Sequence, residues 1–373
     1  MSLGLISIKF INIQILNMAA KIKIINYTDL VDSLLANLPE REREVLVRRN
    51  ALADIDQAHT LEQIGNDFNI TRERVRQIES EGLKKVKALD LAKEKLGDLK
   101  SLISEHLKSH GGIMAENHLK EKILEKQSAE EERSLDFILA NILGEIYNRT
   151  EDLDGYHIIW QLEDVDLDQV LGIVAVLKEL IEDNGTPLHL EDLATKFKTH
   201  KHYQTVDQMN GDNMAILEAL LRLRKDIDRN ILQQWGLINW HTIKPKRMTD
   251  KAYLIMLREG KPLHFSQVAD LINQANFDRK KAHPATVHNE LILDDKYVLV
   301  GRGIYALKEW GYKEGTVADI ISQILAANGP SFKKDLIDEV LKQRQVQKTT
   351  ITLALMDKDK FSRLEDGHYT LAK

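Results

Sequence analysis

The sequence predicts a mainly α fold: a helix-turn-helix near the start of the chain, then tandem winged-helix units, each a helical cluster with a small β-hairpin wing. Three observations predict it. Two short helices with apolar periodicity, each preceded by a capping residue, flank a tight turn between residues 60 and 79. Four later stretches each end a helix at a glycine and resume with a second helix. Each unit then closes on an apolar hairpin, and the pattern recurs at roughly 70 residues, the mark of an internal repeat.

Composition sets the frame. A chain of 373 residues with 43% hydrophobic and 29% charged residues can build several packed cores under a solvated surface. The absence of cysteine excludes disulfides and thiolate metal sites, and agrees with a reducing, cytoplasmic setting. The net charge of -6 means that nucleic-acid contact has to come from local basic patches. The opening stretch MSLGLISIKFINIQIL is interrupted by Lys9 and too short for a membrane span, and Met18 follows it. A poorly ordered leader is expected at 1–26, with a short strand or partner-binding arm as the alternative. No other segment is apolar enough to span a bilayer.

The helix-turn-helix is expected within 27–95. Pro39 suits a first helical turn, and Leu38, Val45 and Leu46 supply apolar positions in LLANLPEREREVLVRRN. Thr60 and Gln63 have capping-box spacing, so a helix starts at Leu61, with Leu61, Ile64 and Phe68 on one face. Asn66, Asp67 and Asn69 mark the turn. Thr71 caps a second helix whose Val75 and Ile78 point back at the first. That leaves Arg72, Glu73, Arg76 and Gln77 on the outer face, in its N-terminal half. In a helix-turn-helix this face enters the major groove, where arginine reads guanine, glutamine adenine, and glutamate the cytosine amino group. Arg74, Lys84, Lys85 and Lys87 are the candidates for phosphates. A solvated helix laced with ion pairs is the competing account of the same pattern.

The stretches LPEREREVL and TLEQIGNDFNITRERVRQIESEGLKKVK, within 34–88, resemble region 4 of the bacterial primary-type sigma factors, the part that recognises the promoter -35 element. The resemblance implies base contacts for Arg72, Glu73, Arg76 and Gln77 in the helix that Thr71 opens. It also implies docking of the helices around 34–49 on the β flap of RNA polymerase. The segment RRNALADIDQAHT departs from the family by lacking the usual Phe-Gly. No counterpart of the aromatic-rich promoter-melting region is found, so the chain by itself is not expected to open a promoter.

The repeat follows, with units expected at 96–165, 166–246, 247–312 and 313–373. Gly112, Gly185, Gly260 and Gly329 are the helix-ending glycines, with Pro187, Pro262 and Pro330 after three of them. Gly155, Gly236, Gly303 and Gly367 are expected at or near hairpin turns. The third unit, through AYLIMLREGKPLHFSQVADLINQ and HPATVHNELILDDKYVLVGRGIYALKEWGY, resembles the HARE-HTH family, which includes the N-terminal domain of the polymerase δ subunit. That resemblance implies DNA contact or docking on polymerase. It points to His283, Thr286, His288 and Asn289 on a recognition helix, to Lys348, Thr349 and Thr350 in the fourth unit, and to Arg302 at a wing tip facing phosphate.

Enzyme chemistry finds no support. GRG at 301–303 lies between two strands and reads as a hairpin turn, not a phosphate loop. His200 and His202 lack further ligands at metal-binding spacing, and Glu130 with Glu131 sits in a charge run. Trp160, Trp235, Trp240 and Trp310 recur near hairpin ends, as packing residues do. The expected function is a non-enzymatic transcription factor that contacts double-stranded DNA, the β flap of RNA polymerase, or both, without cofactor, metal or membrane. A protein-docking regulator of polymerase and a DNA-binding module of a restriction or chromosome-organising system are the alternatives.

Overall fold

The computed structural model describes residues 25–89, 96–124 and 128–372, so nearly all of the expected leader lies outside the described residues. The described chain is mainly helical with small antiparallel sheets. It divides into two compact units, Met1–Val176 with Lys198–Lys225, and Leu177–Phe197 with Asp226–Lys373.

The first unit opens with α1 (Tyr27–Leu35), whose Asn26 side chain accepts from the Asp29 amide. In α2 (Glu40–Arg49), Pro39 is the capping residue rather than part of the first turn, because its ψ of 143° is extended. Next come α3 (Leu61–Asp67) and α4 (Arg72–Ala88). The capping box at Thr60 forms in both directions: Thr60 Oγ1 accepts from the Gln63 amide at 3.2 Å, and the Gln63 side chain accepts from the Thr60 amide at 2.8 Å. Thr71 caps α4 by accepting from the Arg74 amide at 3.2 Å.

The remaining elements of this unit are α5 (Gly97–Ser109), β1 (Ile113–Ala115), α6 (Glu116–Ile123), α7 (Ala129–Ile138, running on as a π-turn to Leu143), β2 (Asn148–Thr150) and β3 (Ile159–Gln161). The long α8 (Leu167–Asn184) is divided between the two units, and α10 (Tyr203–Gln208) and α11 (Asn213–Leu221) return to the first. The sheet runs β1-β3-β2. Glu116, at the start of α6, ties the hairpin to the helix by accepting from the Trp160 indole at 2.8 Å and from Arg149 at 2.6 Å. The expected boundary at 95/96 is not a break in the core. Leu34 and Leu35 of α1 and Leu46 of α2 join Leu99, Ile103, Leu119, Leu135, Ile138 and Trp160 in one continuous cluster. Each such side chain contributes about 1.5–3 kcal/mol when buried.

The second unit holds β4 (Leu188–His189), α9 (Leu190–Phe197), β5 (Ile227–Arg229) and β6 (Gln234–Leu237) in a sheet ordered β4-β6-β5. Gly236, expected at the hairpin turn, lies inside β6 instead. The left-handed turn position is taken by Gln233 at φ 63°. Gly236 is required for space: a Cβ there would stand 2.8 Å from Trp240 and Ile243. Next are α12 (Met248–Glu259), β7 (Leu263–His264), α13 (Phe265–Ala275), α14 (Pro284–Leu293), β8 (Tyr297–Gly301) and β9 (Ile304–Leu307), with sheet order β7-β9-β8. The last elements are α15 (Val317–Asn328), α16 (Lys333–Gln343), α17 (Lys348–Ala354), β10 (Phe361–Arg363) and β11 (Tyr369–Leu371). The expected helix-ending glycines all take positive φ, and Gly260 is a left-handed cap whose amide reaches the Met256 carbonyl at 2.9 Å. Among the described residues no helix is long and apolar enough to cross a membrane.

Candidate nucleic-acid interface

The site is built on α3, its turn and α4. Val45, Ile64, Val75 and Ile78 form a small core of their own, edged by Leu61, Phe68 and Ile70. Burying Val75 and Ile78 fixes the rotation of α4, because residues three and four apart share a helix face. Two further contacts fix its depth. A Cβ on Gly65 would meet the Ile70 carbonyl oxygen at 2.7 Å, so the turn closes onto α3 only where a side chain is missing. A Cβ on Gly82 would come within 3.2 Å of Leu46, which lets α4 lie close against α2. Sequence reasoning missed both glycines. The available signal was a glycine inside a seven-residue helix, where it is costly unless the space is needed.

Across the helix from this core, Thr71, Arg72, Glu73, Arg76 and Gln77 are all exposed. Arg76 donates to Glu73 through Nε at 2.9 Å and Nη2 at 2.6 Å. That bidentate bond holds the Glu73 carboxyl below the usual carboxylate range, so both groups stay charged. Both are more than half exposed, so water screens the pair and a base edge can replace either partner. Arg74 lies on the flank, donating to Gln77 at 3.1 Å with Glu81 at 3.8 Å.

Farther along the same outer arc, Arg76, Glu79, Ser80, Leu83, Lys84 and Lys87 border a shallow groove that ends at Glu145. Lys84 is exposed there, whereas Lys87 is bound to Glu145 at 2.6 Å. Lys85 does not belong to the outer face. It points to α2, where Glu42 holds it at 2.5 Å. Behind the helix, Arg49 donates to Glu79 at 3.1 Å and to the His59 carbonyl at 2.8 Å, and Arg48 pairs with Asp67 at 2.8 Å. These contacts brace the helix-turn-helix against α2.

The other expected sites lie in the second unit or hold no chemistry. Arg302 is exposed at the β8–β9 turn. His283, Thr286 and Asn289 are exposed at or on α14, while His288 is half-buried against the Phe265 ring at 4.5 Å. Lys348, Thr349 and Thr350 are exposed in the first turn of α17. His200 and His202 stack at 5.2 Å, and no group of three metal-ligating side chains exists among the described residues. Trp160 and Trp235 are buried.

Residues 34–88 match sigma-70, region 4. The RNA polymerase sigma factor RpoD of Helicobacter pylori is 48% identical over 58 residues, which are 16% of this chain and 9% of that protein. The RNA polymerase sigma factor SigA4 of Synechococcus elongatus is 46% identical over 59 residues, 16% of this chain and 19% of that protein. The RNA polymerase sigma factor SigA of Lactococcus lactis subsp. cremoris is 44% identical over 57 residues, 15% of each. The chain thus spans less than a fifth of the length of these relatives. No solved structure matches it.

Proposed function

We propose that the chain is a DNA-binding transcription factor whose α4 reads a -35-like promoter duplex, with residues 96–373 arranged as winged-helix units that support and extend that contact. The observation that carries the reading is the outer face of α4. Arg72, Glu73, Arg76 and Gln77 stand exposed in the N-terminal half of a helix that its apolar face holds in place. These are the side chains suited to base edges, and the N-terminal residues of such a helix are the ones that reach them. Arg74 and Lys84 flank the arc and reach for phosphates.

The likeness to sigma factors of RNA polymerase brings a second partner, polymerase itself. The β flap is the finer form of that reading. Leu34, Leu35, Leu38 and Leu46 are at most 8% exposed, so a flap contact at these helices has to use their polar outer surfaces. The exposed polar face of α4 is open to duplex DNA, which takes precedence. The winged-helix reading rests on the order of helix, short strand, two helices and hairpin in 97–161 and 248–307, on the same order with a third helix in 167–237, and on three sheets in which the first strand pairs with the last; in 317–371 a single bridge from Ser331 to Tyr369 stands in the place of the first strand. It also rests on a repeated contact between the start of the second helix and the hairpin, as in the stacking of Phe332 on His368 at 3.9 Å.

The test is a titration of the full chain against a -35-like duplex and a scrambled duplex, repeated with Arg76→Ala. Preference for the -35-like duplex that disappears in the variant supports the reading. Equal affinity for both duplexes, unchanged by the substitution, rejects it.

A further inference from the structure

We propose that the third and fourth repeats form one composite surface for the phosphates of a DNA backbone, assembled around the guanidinium of Arg344. This rests on the DNA-binding reading above, and its test reads a different observable. Arg344 lies between α16 and α17 and is 4% exposed. Its charge is met by backbone carbonyls: Leu299 at the edge of β8, Lys313 at 2.8 Å and Gly315 at 2.5 Å. A guanidinium offers five donors in a rigid planar fork, so it can bond three carbonyls in fixed directions, whereas a lysine presents a flexible point charge. The next residue continues the join, with the Gln345 amide donating to the Val300 carbonyl at 3.0 Å. One buried fork therefore fixes the β8 edge, the 311–316 linker and the approach to α17 in a single arrangement.

That arrangement gathers cations from three separate parts of the chain. Gly301 sits so near Gln345 that a Cβ would meet its carbonyl oxygen at 2.5 Å, and Arg302 follows as the exposed tip of the hairpin. Lys313, whose carbonyl the fork holds, is exposed on the linker. Lys348 begins α17 three residues after Gln345 and is followed by the exposed hydroxyls of Thr349 and Thr350. The acids of the linker region are committed elsewhere, Glu314 to Lys308 at 2.7 Å and Asp319 to Lys360 at 3.2 Å. Exposed cations with hydroxyls between them, on fixed backbone, suit sugar-phosphate contact. Arg344 is a positioning residue in this scheme and touches no phosphate.

The experiment measures duplex affinity of the full chain against salt concentration for wild type, for the triple variant Arg302→Ala/Lys313→Ala/Lys348→Ala, and for Arg344→Met. Three lost phosphate contacts should make the slope of log affinity against log salt shallower by about 3. The preference for the -35-like duplex should stay intact. Arg344→Met should flatten the slope in part with all three cations present, and its melting curve tells that from unfolding. An unchanged slope in the triple variant overturns the proposal, whatever the preference does. Loss of slope in the triple variant without any duplex preference in wild type keeps this surface and rejects the reading by α4. Binding of the same surface to an acidic protein, with no effect on duplex affinity, also overturns it.

Discussion

Helices α4 and α14 are packed alike and finished differently. Each follows another helix, and each buries a pair of apolar residues a turn apart, Val75 with Ile78 in α4 and Val287 with Leu291 in α14, while the longer α4 also buries Val86. The outer face of α4 carries two arginines, a glutamate and a glutamine. The outer face of α14 carries His283, Thr286 and Asn289, and its last turn exposes Ile292 at 59% and Leu293 at 80%. A capping threonine opens α4, and its side chain bonds the Arg74 amide, whereas His283 makes no side-chain cap for α14. The difference teaches that the packing is common property and that the chemistry of the outer face divides the labour. On the proposed reading, base contact falls to α4, while the composite cation surface of the second unit suits backbone contact.

The comparison can be broken most severely at Gly65. In Gly65→Leu the side chain would be forced onto the Ile70 carbonyl, and such overpacking costs about 1–3 kcal/mol or more. Sequence preference should vanish, with a fall of roughly 10³-fold or more towards the non-specific level. Hydrogen-exchange protection in α12 to α17 should be unchanged, which shows that the loss is local.

Arg76→Ala should come next. Loss of one bidentate base contact costs about 1–3 kcal/mol, or roughly five- to 150-fold in affinity for the preferred duplex. Thr286→Ala, the matching change on α14, should leave the preference intact in the same titration. A smaller effect is expected from Thr71→Ala, which removes the cap of α4 and about 1 kcal/mol of stability without touching the outer-face arginines. Thermal unfolding should register it, and Pro284→Ala at the uncapped α14 should give no comparable shift.

The two units should also part company with pH, by the smallest margin. Burial holds the imidazoles of His106 and His110 below their ordinary value. The unfolded chain then takes up protons first as pH falls from about 6.5, so the stability they contribute is full above that value and is lost below it. In the second unit, hydrogen bonds from Thr316 and then Lys360 pull the Asp319 carboxyl down to about 2. Its contribution is full above about pH 4 and is lost only on the way to about 2. Protection factors at pH 5.5 should therefore fall in α5 relative to pH 7.5 and hold in α15.

Local chemistry made part of this legible in the sequence. Thr60, Gln63 and Thr71 act within one helical turn of themselves, so their spacing announced both helix starts. Val75 and Ile78 announced the buried face, and with it the outer arc from Arg72 to Gln77. Contacts between distant segments were not legible. Lys85 has the spacing of a phosphate-binding residue, but Glu42, 43 positions away, turns it to α2. The single core through α1 and α7 joins Tyr27 to a helix 104 positions away, where Glu131 accepts from the Tyr27 amide. Gly236 looked like a turn because a missing side chain has the same signature whether it frees φ or makes room for Trp240.

The central claim is that the outer face of α4 lies in a DNA groove, and the chain offers a direct test because it contains no cysteine. Ser80→Cys places a single thiol on the outer arc, beside Arg76 and Lys84. It can carry an iron chelate that cuts nearby sugars. Bound to an end-labelled -35-like duplex, the conjugate should cut within one major groove, over a few adjacent nucleotides on each strand, and should lose that pattern when Arg76→Ala is added. Cutting spread evenly along the duplex, or none while the protein remains bound, would contradict the claim.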